Sequence, residues 1–314
     1  MATISTSARL GPAGTANAGV ARRARGRLAG QIVRTLASAL IALLFFLPIL
    51  WWGLNSIRTT TEIFALPPRF PFDATLDWYR VVLGNADPNP QGGAAGAGSG
   101  ITKFFSLPYL GNSFLIGGAS TLLVLLLATP AAYALSRFRL RRRKDIAFWI
   151  LSQRMLPPVA AAYPLQVMFQ RFGWTDTYHG LILVHTAINA PLAVLLLLSF
   201  FDEVPRELDD AAMIDGASRF GAFREVILHY VRGGLMATAV LAFIFSWNEF
   251  LLVLVLTTGK IQTVPYASST FTTNFATEWG YLAALGTASV VPIFVFILLV
   301  QRHLVRGLTL GAVK

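Results

Sequence analysis

A chain of 314 residues that is 55% hydrophobic and only 13% charged, with a mean hydropathy of +0.59, is too apolar for an ordinary soluble domain. Its net charge of +11 would suit a nucleic acid partner, but the basic residues flank apolar runs of membrane length, where chain orientation and anionic headgroups account for them, so nucleic acid is set aside. No cysteine is present, which removes disulfides and thiolate metal sites.

Residues 1–34 are rich in Ala, Gly, Thr and Arg without a periodic apolar face, and read as a disordered basic tail. Crossing a hydrocarbon core takes about 20 apolar residues, and six runs approach that length. Leu36 to Leu54, Leu110 to Leu135, Leu181 to Phe201 and Tyr281 to Val300 carry no charge, whereas Ile146 to Phe169 contains Arg154 and Leu235 to Leu256 contains Glu249. The first run is of full spanning length with no small-residue cleavage site after Leu54, so it reads as a retained helix rather than a signal peptide. Prolines inside the runs predict kinks, which membrane helices tolerate.

Between the first two spans, TLDWYRVVLG (Thr75 to Gly84) places Leu76, Tyr79 and Leu83 at helical spacing and predicts a helix lying along the interface. NADPNPQGGAAGAGSG (Asn85 to Gly100) has the composition of a flexible linker. With a cytoplasmic amino terminus, 19 Lys and Arg fall in inside segments and 6 in outside ones, RFRLRRRK (Arg137 to Lys144) being the strongest anchor. The positive-inside rule therefore puts both termini of a multi-pass membrane protein in the cytoplasm.

The fourth and fifth spans are joined by a polar segment. Asp202, Glu203 and Pro205 suit a helix start. Leu208, Ala211 and Ala212 form a narrow stripe of small residues, Gly216 permits a turn, Ser218 can cap a second helix, and Phe220, Phe223 and Ile227 give that helix a buried face. Such a hairpin either covers the ends of the spans or docks a cytoplasmic partner.

Polar groups inside spans are costly and point to function. At about 1.5 Å rise per residue, Tyr163, Asn189, Asn248 and Glu249 come out roughly 9 to 14 Å below the outer surface, with Gln166 slightly shallower. With Trp247 they either line a solute cavity, amides and carboxylate meeting hydroxyls and aromatic rings stacking on the solute, or hydrogen-bond between helices. Arg154, roughly 12 Å from the inner surface, has three roles open: it snorkels, pairs with an acid on a neighbouring subunit, or belongs to an inner gate. His185 reads as a hydrogen-bonded packing residue. No GxxxxGK followed by Ser or Thr occurs, and the four histidines form no His-Glu-x-x-His pair, so neither a phosphate-cradling loop nor a zinc-hydrolase site is predicted. An ion-coupled secondary transporter using Glu249 is the alternative class.

DAAMIDGASRFGAFREVIL resembles the EAA loop of binding-protein-dependent ABC importer permeases. Asp210, Ala211 and Ala212 take the Glu-Ala-Ala places and Gly216 that of the glycine, while Val226 and Leu228 match the later apolar positions and His229 stands where the pattern has proline. LSQRMLPPVAAAYPL, WTDTYHGLILVHTAINAPLAVLLLLSFF, SWNEFLLVLVLT and QRHLVRGLTLGAVK are similar to carbohydrate-type permeases related to the maltose transporter's smaller membrane subunit. The resemblance implies an all-α membrane protein of the type I importer (MetI-like) permease fold, with a six-span domain over 35–314, a core at 109–301 and a coupling loop at 202–230. It implies that Asp210, Ala211, Ala212, Gly216 and Arg219 couple to an ATPase, Asp210 pairing with a partner arginine. It further implies a second permease, two ATPase subunits that hold ATP and Mg, an extracytoplasmic solute-binding protein, and no cofactor in this chain.

Overall fold

The computed structural model describes residues 14–84, 107–272 and 277–310, with side chains from residue 30 to residue 298 where described. The chain divides into two compact units, Met1–Leu54 and Asn55–Lys314. Among the described residues the only β pairing is a pair of isolated bridges, Arg58 with Ala74 and Thr272 with Thr277.

The first unit is the helix α1, Gly14–Asn55. It begins well before the expected span and runs through the basic stretch expected as a tail, because alanine and arginine are strong helix formers. Its apolar side chains are exposed on every side, among them Leu36, Leu40, Leu43, Phe46 and Ile49, the pattern of a helix whose solvent is lipid. Residues 1–13 and the Gly-rich stretch 85–100 lie outside the described residues.

In the second unit, the short helices α2 (Thr60–Ile63) and α3 (Asp77–Gly84) precede the long helix α4 (Leu107–Arg137). They are followed by α5 (Arg143–Ser152), α6 (Pro158–Phe172), α7 (Tyr178–Glu203) and α8 (Glu207–Ile214). Next come α9 (Arg219–Tyr230), α10 (Arg232–Trp247), α11 (Leu251–Leu256), α12 (Val264–Thr270) and α13 (Trp279–Leu310).

Gly30–Asn55, Leu107–Arg137, Tyr178–Glu203 and Trp279–Leu298 are each long and apolar enough to cross a membrane, and α9 with α10 makes a fifth if that pair, bent by 75°, is one crossing. The third and fifth expected spans are not continuous. Pro157 and Pro158 end the third, because proline removes an amide and pushes the residue before it out of the helical region; Leu156 sits at φ −68°, ψ 121°. The fifth breaks after Trp247. There Asn248 donates its side-chain amide to the Ile244 carbonyl at 2.8 Å and Glu249 accepts the Leu252 amide at 2.9 Å, so polar side chains replace the helical ladder with local bonds.

Three apolar clusters hold this unit together. One joins α4, α7, α9 and α10 through residues such as Val124, Leu197, Phe201 and Ile227. A second seats α3 against α10, α12 and α13 around Val81, Phe243, Phe271 and Tyr281, and a third joins α4, α6, α7 and α11 around Ile116, Phe169 and Val253. The helix expected along the outer interface is thus α3. It buries Val81 and Val82, sets Trp78 against Tyr281 with ring centres 4.8 Å apart, and turns Leu76 and Leu83 outward.

A buried polar chain ties three helices. The Nδ1 of His185 on α7 lies 2.6 Å from the Ser246 hydroxyl on α10, which lies 3.0 Å from the Ser120 hydroxyl on α4. In an apolar interior such bonds cross-link helices, which agrees with the packing role read for His185.

Candidate functional site

The polar segment between α7 and α10 folds as two helices around Gly216, whose φ of +94° is a conformation that only glycine adopts without strain. The Ser218 hydroxyl accepts the Gly221 amide at 3.1 Å and caps α9. Within α9, residues Ala222–Ile227 form a π-helical turn. That wider turn shifts the register of the expected apolar face: Phe223 and Ile227 are buried, whereas Phe220 is 68% exposed.

The hairpin is fastened through a residue that spacing did not single out. The Arg137 guanidinium donates from Nε to Asp209 at 2.8 Å, from Nη1 to the Phe201 carbonyl at 3.1 Å, and from Nη2 to the Val204 carbonyl at 2.9 Å. Tyr133 donates its hydroxyl to the other Asp209 oxygen at 2.7 Å. One arginine at the end of α4 therefore satisfies carbonyls at the end of α7 and holds α8 by a buried carboxylate. Nearby, Asp202 accepts the Ser136 hydroxyl at 2.6 Å and pairs with Arg143, and Arg206 donates to the Ser136 carbonyl at 2.8 Å.

Asp210, the neighbour of Asp209, is exposed and forms no ion pair among the described residues. Ala211 is exposed and Ala212 buried, so the stripe of small residues is divided between an inner and an outer face. Ile214 is 86% exposed. Arg219 shares a cavity of about 300 Å³ with Asp209, Asp210, Arg137, Arg139 and Arg206. His229 is exposed, and α9 still turns through 75° into α10 without a proline there.

The residues predicted to line a solute pathway sit in different settings. Tyr163 is exposed on α6, with Gln166 half-buried one turn on. Trp247 is buried in an apolar cluster beside Phe243, ring centres 5.6 Å apart, and Asn248 and Glu249 make the local bonds that end α10 and begin α11. Asn189 differs: it is 3% exposed, and among the described residues neither side-chain polar atom has a hydrogen-bond partner. It lines a cavity of about 10 Å³, the room of one water, together with Thr238, whose buried hydroxyl is also unsatisfied. Thr238 was missed because a lone threonine in an apolar run carries no sequence signal. Arg154 reaches toward the same helices, donating to the Ile188 carbonyl at 2.9 Å with its guanidinium 4.9 Å from the centre of the Phe245 ring.

At the other end of α7 from the hairpin, Asp176 in the α6–α7 turn organises the loop after α11. It accepts the Thr258 amide at 2.8 Å, the Lys260 amide at 3.2 Å and the Ile261 amide at 3.3 Å, as well as the Thr258 hydroxyl. Burial alone would push its carboxyl up, but these donors outweigh burial and hold it below the usual carboxylate range.

Comparison with known proteins places these features. The family described as "Binding-protein-dependent transport system inner membrane component" matches residues 124–310. The chain is 32% identical over 286 residues to the trehalose/maltose transport system permease protein MalG of Thermococcus litoralis, covering 90% of this chain and 97% of that one. It is 39% identical over 271 residues to the trehalose transport system permease protein SugB of Mycobacterium tuberculosis, covering 85% and 92%. Among solved structures, a chain of a bacterial ABC transporter involved in the import of the acidic polysaccharide alginate superposes with a TM-score of 0.66 at 19% identity, over 88% of this chain and 97% of that one.

Proposed function

Because this chain belongs to the family of binding-protein-dependent transport system inner membrane components, and is a multi-pass permease subunit of an ABC importer, we propose that it imports a sugar or sugar-like solute and receives mechanical work through α8. The observation that carries the coupling role is the two-sidedness of the hairpin. Its inner face is clamped by Arg137 through Asp209, while Asp210, Ala211, Ile214 and Phe220 are left exposed. Large apolar side chains exposed on an otherwise polar loop mark a docking surface, and small residues beside them allow close approach.

Residues 35–314 form the permease domain, and 202–230 the coupling segment on the cytoplasmic side, where both termini also lie. The working assembly pairs this chain with a second permease, two ATPase subunits that bind ATP and Mg, and an external solute-binding protein. Closure of the ATPase pair pushes α8. Because Arg137 joins α8 to the ends of α4 and α7, the push moves those membrane helices as one body and opens the pathway outward. The relatives named for trehalose and maltose support a sugar as cargo, with Asn189 and Thr238 offering unspent donors and acceptors to its hydroxyls. Glu249 is engaged in capping α11, and no observation favours an ion-coupled carrier.

The test is uptake by vesicles containing the assembled transporter and its binding protein, with radiolabelled trehalose and maltose as first substrates. Uptake should require ATP inside and binding protein outside. Uptake that persists without ATP and collapses with an ionophore would overturn the reading.

A further inference from the structure

We propose that the cavity between the end of α4, α8 and α9 is an oxyanion site that takes a phosphate group, carried by an anionic phospholipid of the adjacent leaflet or free in solution. The cavity, of about 300 Å³, is lined by four arginines, 137, 139, 206 and 219, and by two acids, Asp209 and Asp210. Arg137 and Asp209 cancel in their 2.8 Å pair, which leaves three guanidinium groups facing one carboxylate. Among the described residues, no ion pair joins Asp210 to any of the three. Arg206 spends one N–H on the Ser136 carbonyl, whereas no side-chain hydrogen bond of Arg139 or Arg219 occurs among the described residues. Each guanidinium offers five N–H donors in a planar fork that matches phosphate oxygens.

Two observations favour a phosphate over other counter-anions. Arg139 lies two residues beyond the end of α4 and Arg206 three beyond the end of α7, which puts the cavity at the level where a membrane helix meets the headgroups; basic pockets between helix ends bind phospholipid headgroups. Arg141, Arg142 and Lys144 follow at once and raise the local potential, drawing in multivalent anions. The proposal goes beyond the coupling role of α8 and does not depend on it.

The test uses the full chain in neutral detergent. Native mass spectrometry reads retention of phosphatidylglycerol against phosphatidylcholine, and thermal denaturation at fixed ionic strength reads the response to millimolar inorganic phosphate. The variants are the double substitution Arg139→Gln with Arg219→Gln and, as a control that is also exposed but does not line the cavity, Arg224→Gln. Wild type should hold one phosphatidylglycerol with a preference of about tenfold, lost in the double variant and kept in the control. If the lipid is the source, phosphate leaves the retained lipid in place. If free phosphate is the source, it raises the melting temperature of wild type and displaces the lipid, and the double variant responds to neither. The proposal falls if the double variant keeps both responses, or if Arg224→Gln loses them to the same extent, since diffuse surface charge would then explain them. It also falls if lipid and phosphate responses are absent from wild type; a change in ATPase affinity in the double variant would then make the cavity a seat for a partner's acidic side chain. Because lipid and phosphate are read on the isolated chain, failure here leaves the coupling experiments untouched.

Discussion

Arg137 and Asp209 stand 72 residues apart in sequence and 2.8 Å apart in the fold, at the point where the long helix α4 meets the hairpin of α8 and α9. Both side chains are almost fully buried, and Arg137 also donates to the Phe201 and Val204 carbonyls at the end of α7 and to the Ser136 hydroxyl. The arrangement converts a displacement of α8 into a displacement of α4 and α7, because a charge-assisted bond with several satisfied donors is stiffer than apolar contact alone.

Asp209→Ala should therefore destabilise the chain by about 3 to 5 kcal/mol, since it strands a buried guanidinium. Thermal denaturation of the purified chain measures it. Arg137→Met combined with Asp209→Leu should cost less than the sum of the two single changes, because the pair is coupled; additive losses would mean that the two residues act independently. At the functional level, either single change should lower ATPase-driven uptake more than it lowers basal ATP hydrolysis.

Asp210→Arg should have the opposite profile. Its carboxylate forms no ion pair among the described residues, so the melting temperature should stay close to that of wild type, surface changes of this kind being worth about 0.5 kcal/mol or less. Uptake should nevertheless fall by about tenfold or more if a partly desolvated pair with the ATPase is lost. Undiminished uptake and undiminished solute-stimulated ATP hydrolysis would remove Asp210 from the coupling surface.

Gly234→Ala tests how closely α7 and α10 approach. A Cβ at Gly234 would fall 2.3 Å from Cγ of Phe200 and 2.9 Å from its Cβ, atoms near the backbone that cannot swing aside. Overpacking of this kind costs about 1 to 3 kcal/mol. Phe200→Ala in the same chain removes the Cγ that the new methyl meets, so the double change should cost less than the sum of the two single ones, and the comparison of melting temperatures decides it.

Acidification should act on the turn between α6 and α7. Asp176 has a carboxyl held below its ordinary range, so it contributes stability above the unfolded carboxylate value, and that contribution is lost as pH falls through the folded value. Asp176→Ala should lower the melting temperature at neutral pH by releasing the loop around Thr258 and Ile261. The gap to wild type should close at strongly acidic pH; a gap that stays constant with pH would show that the carboxylate charge is irrelevant to the turn.

What could be read from the chain alone follows from range. The uncharged runs that became α4, α7 and α13 declare themselves because a bilayer demands a continuous apolar stretch, and Gly216 and Ser218 declare a turn and a cap because those needs are local. Pro157–Pro158 and Asn248–Glu249 were visible too, but whether such residues kink or end a helix depends on which backbone groups find partners. Asp209 and Asp210 are the clearest failure of range. Adjacent helical residues point about 100° apart, and only the packing of α8 on α4 decides which carboxylate meets Arg137 and which meets solvent. Spacing ranks them equally, so the anchor was overlooked beside its exposed neighbour.

Asn189 and Thr238 supply the remaining prediction, and its two readouts pull apart the structural and functional roles. Both are buried with unsatisfied polar atoms at a cavity of about 10 Å³. A polar group that makes no protein hydrogen bond contributes nothing to stability by its polarity, and an apolar replacement of similar shape is neutral or stabilising. Asn189→Leu and Thr238→Val should therefore leave the melting temperature unchanged or raise it. If these groups meet solute hydroxyls during passage, uptake should fall by about tenfold to a hundredfold, the equivalent of one or two lost hydrogen bonds, while assembly with the ATPase, read by co-purification, stays intact. A fall in melting temperature with unchanged uptake kinetics would assign the pair to helix packing, and unchanged values of both would leave the cavity without a role in transport.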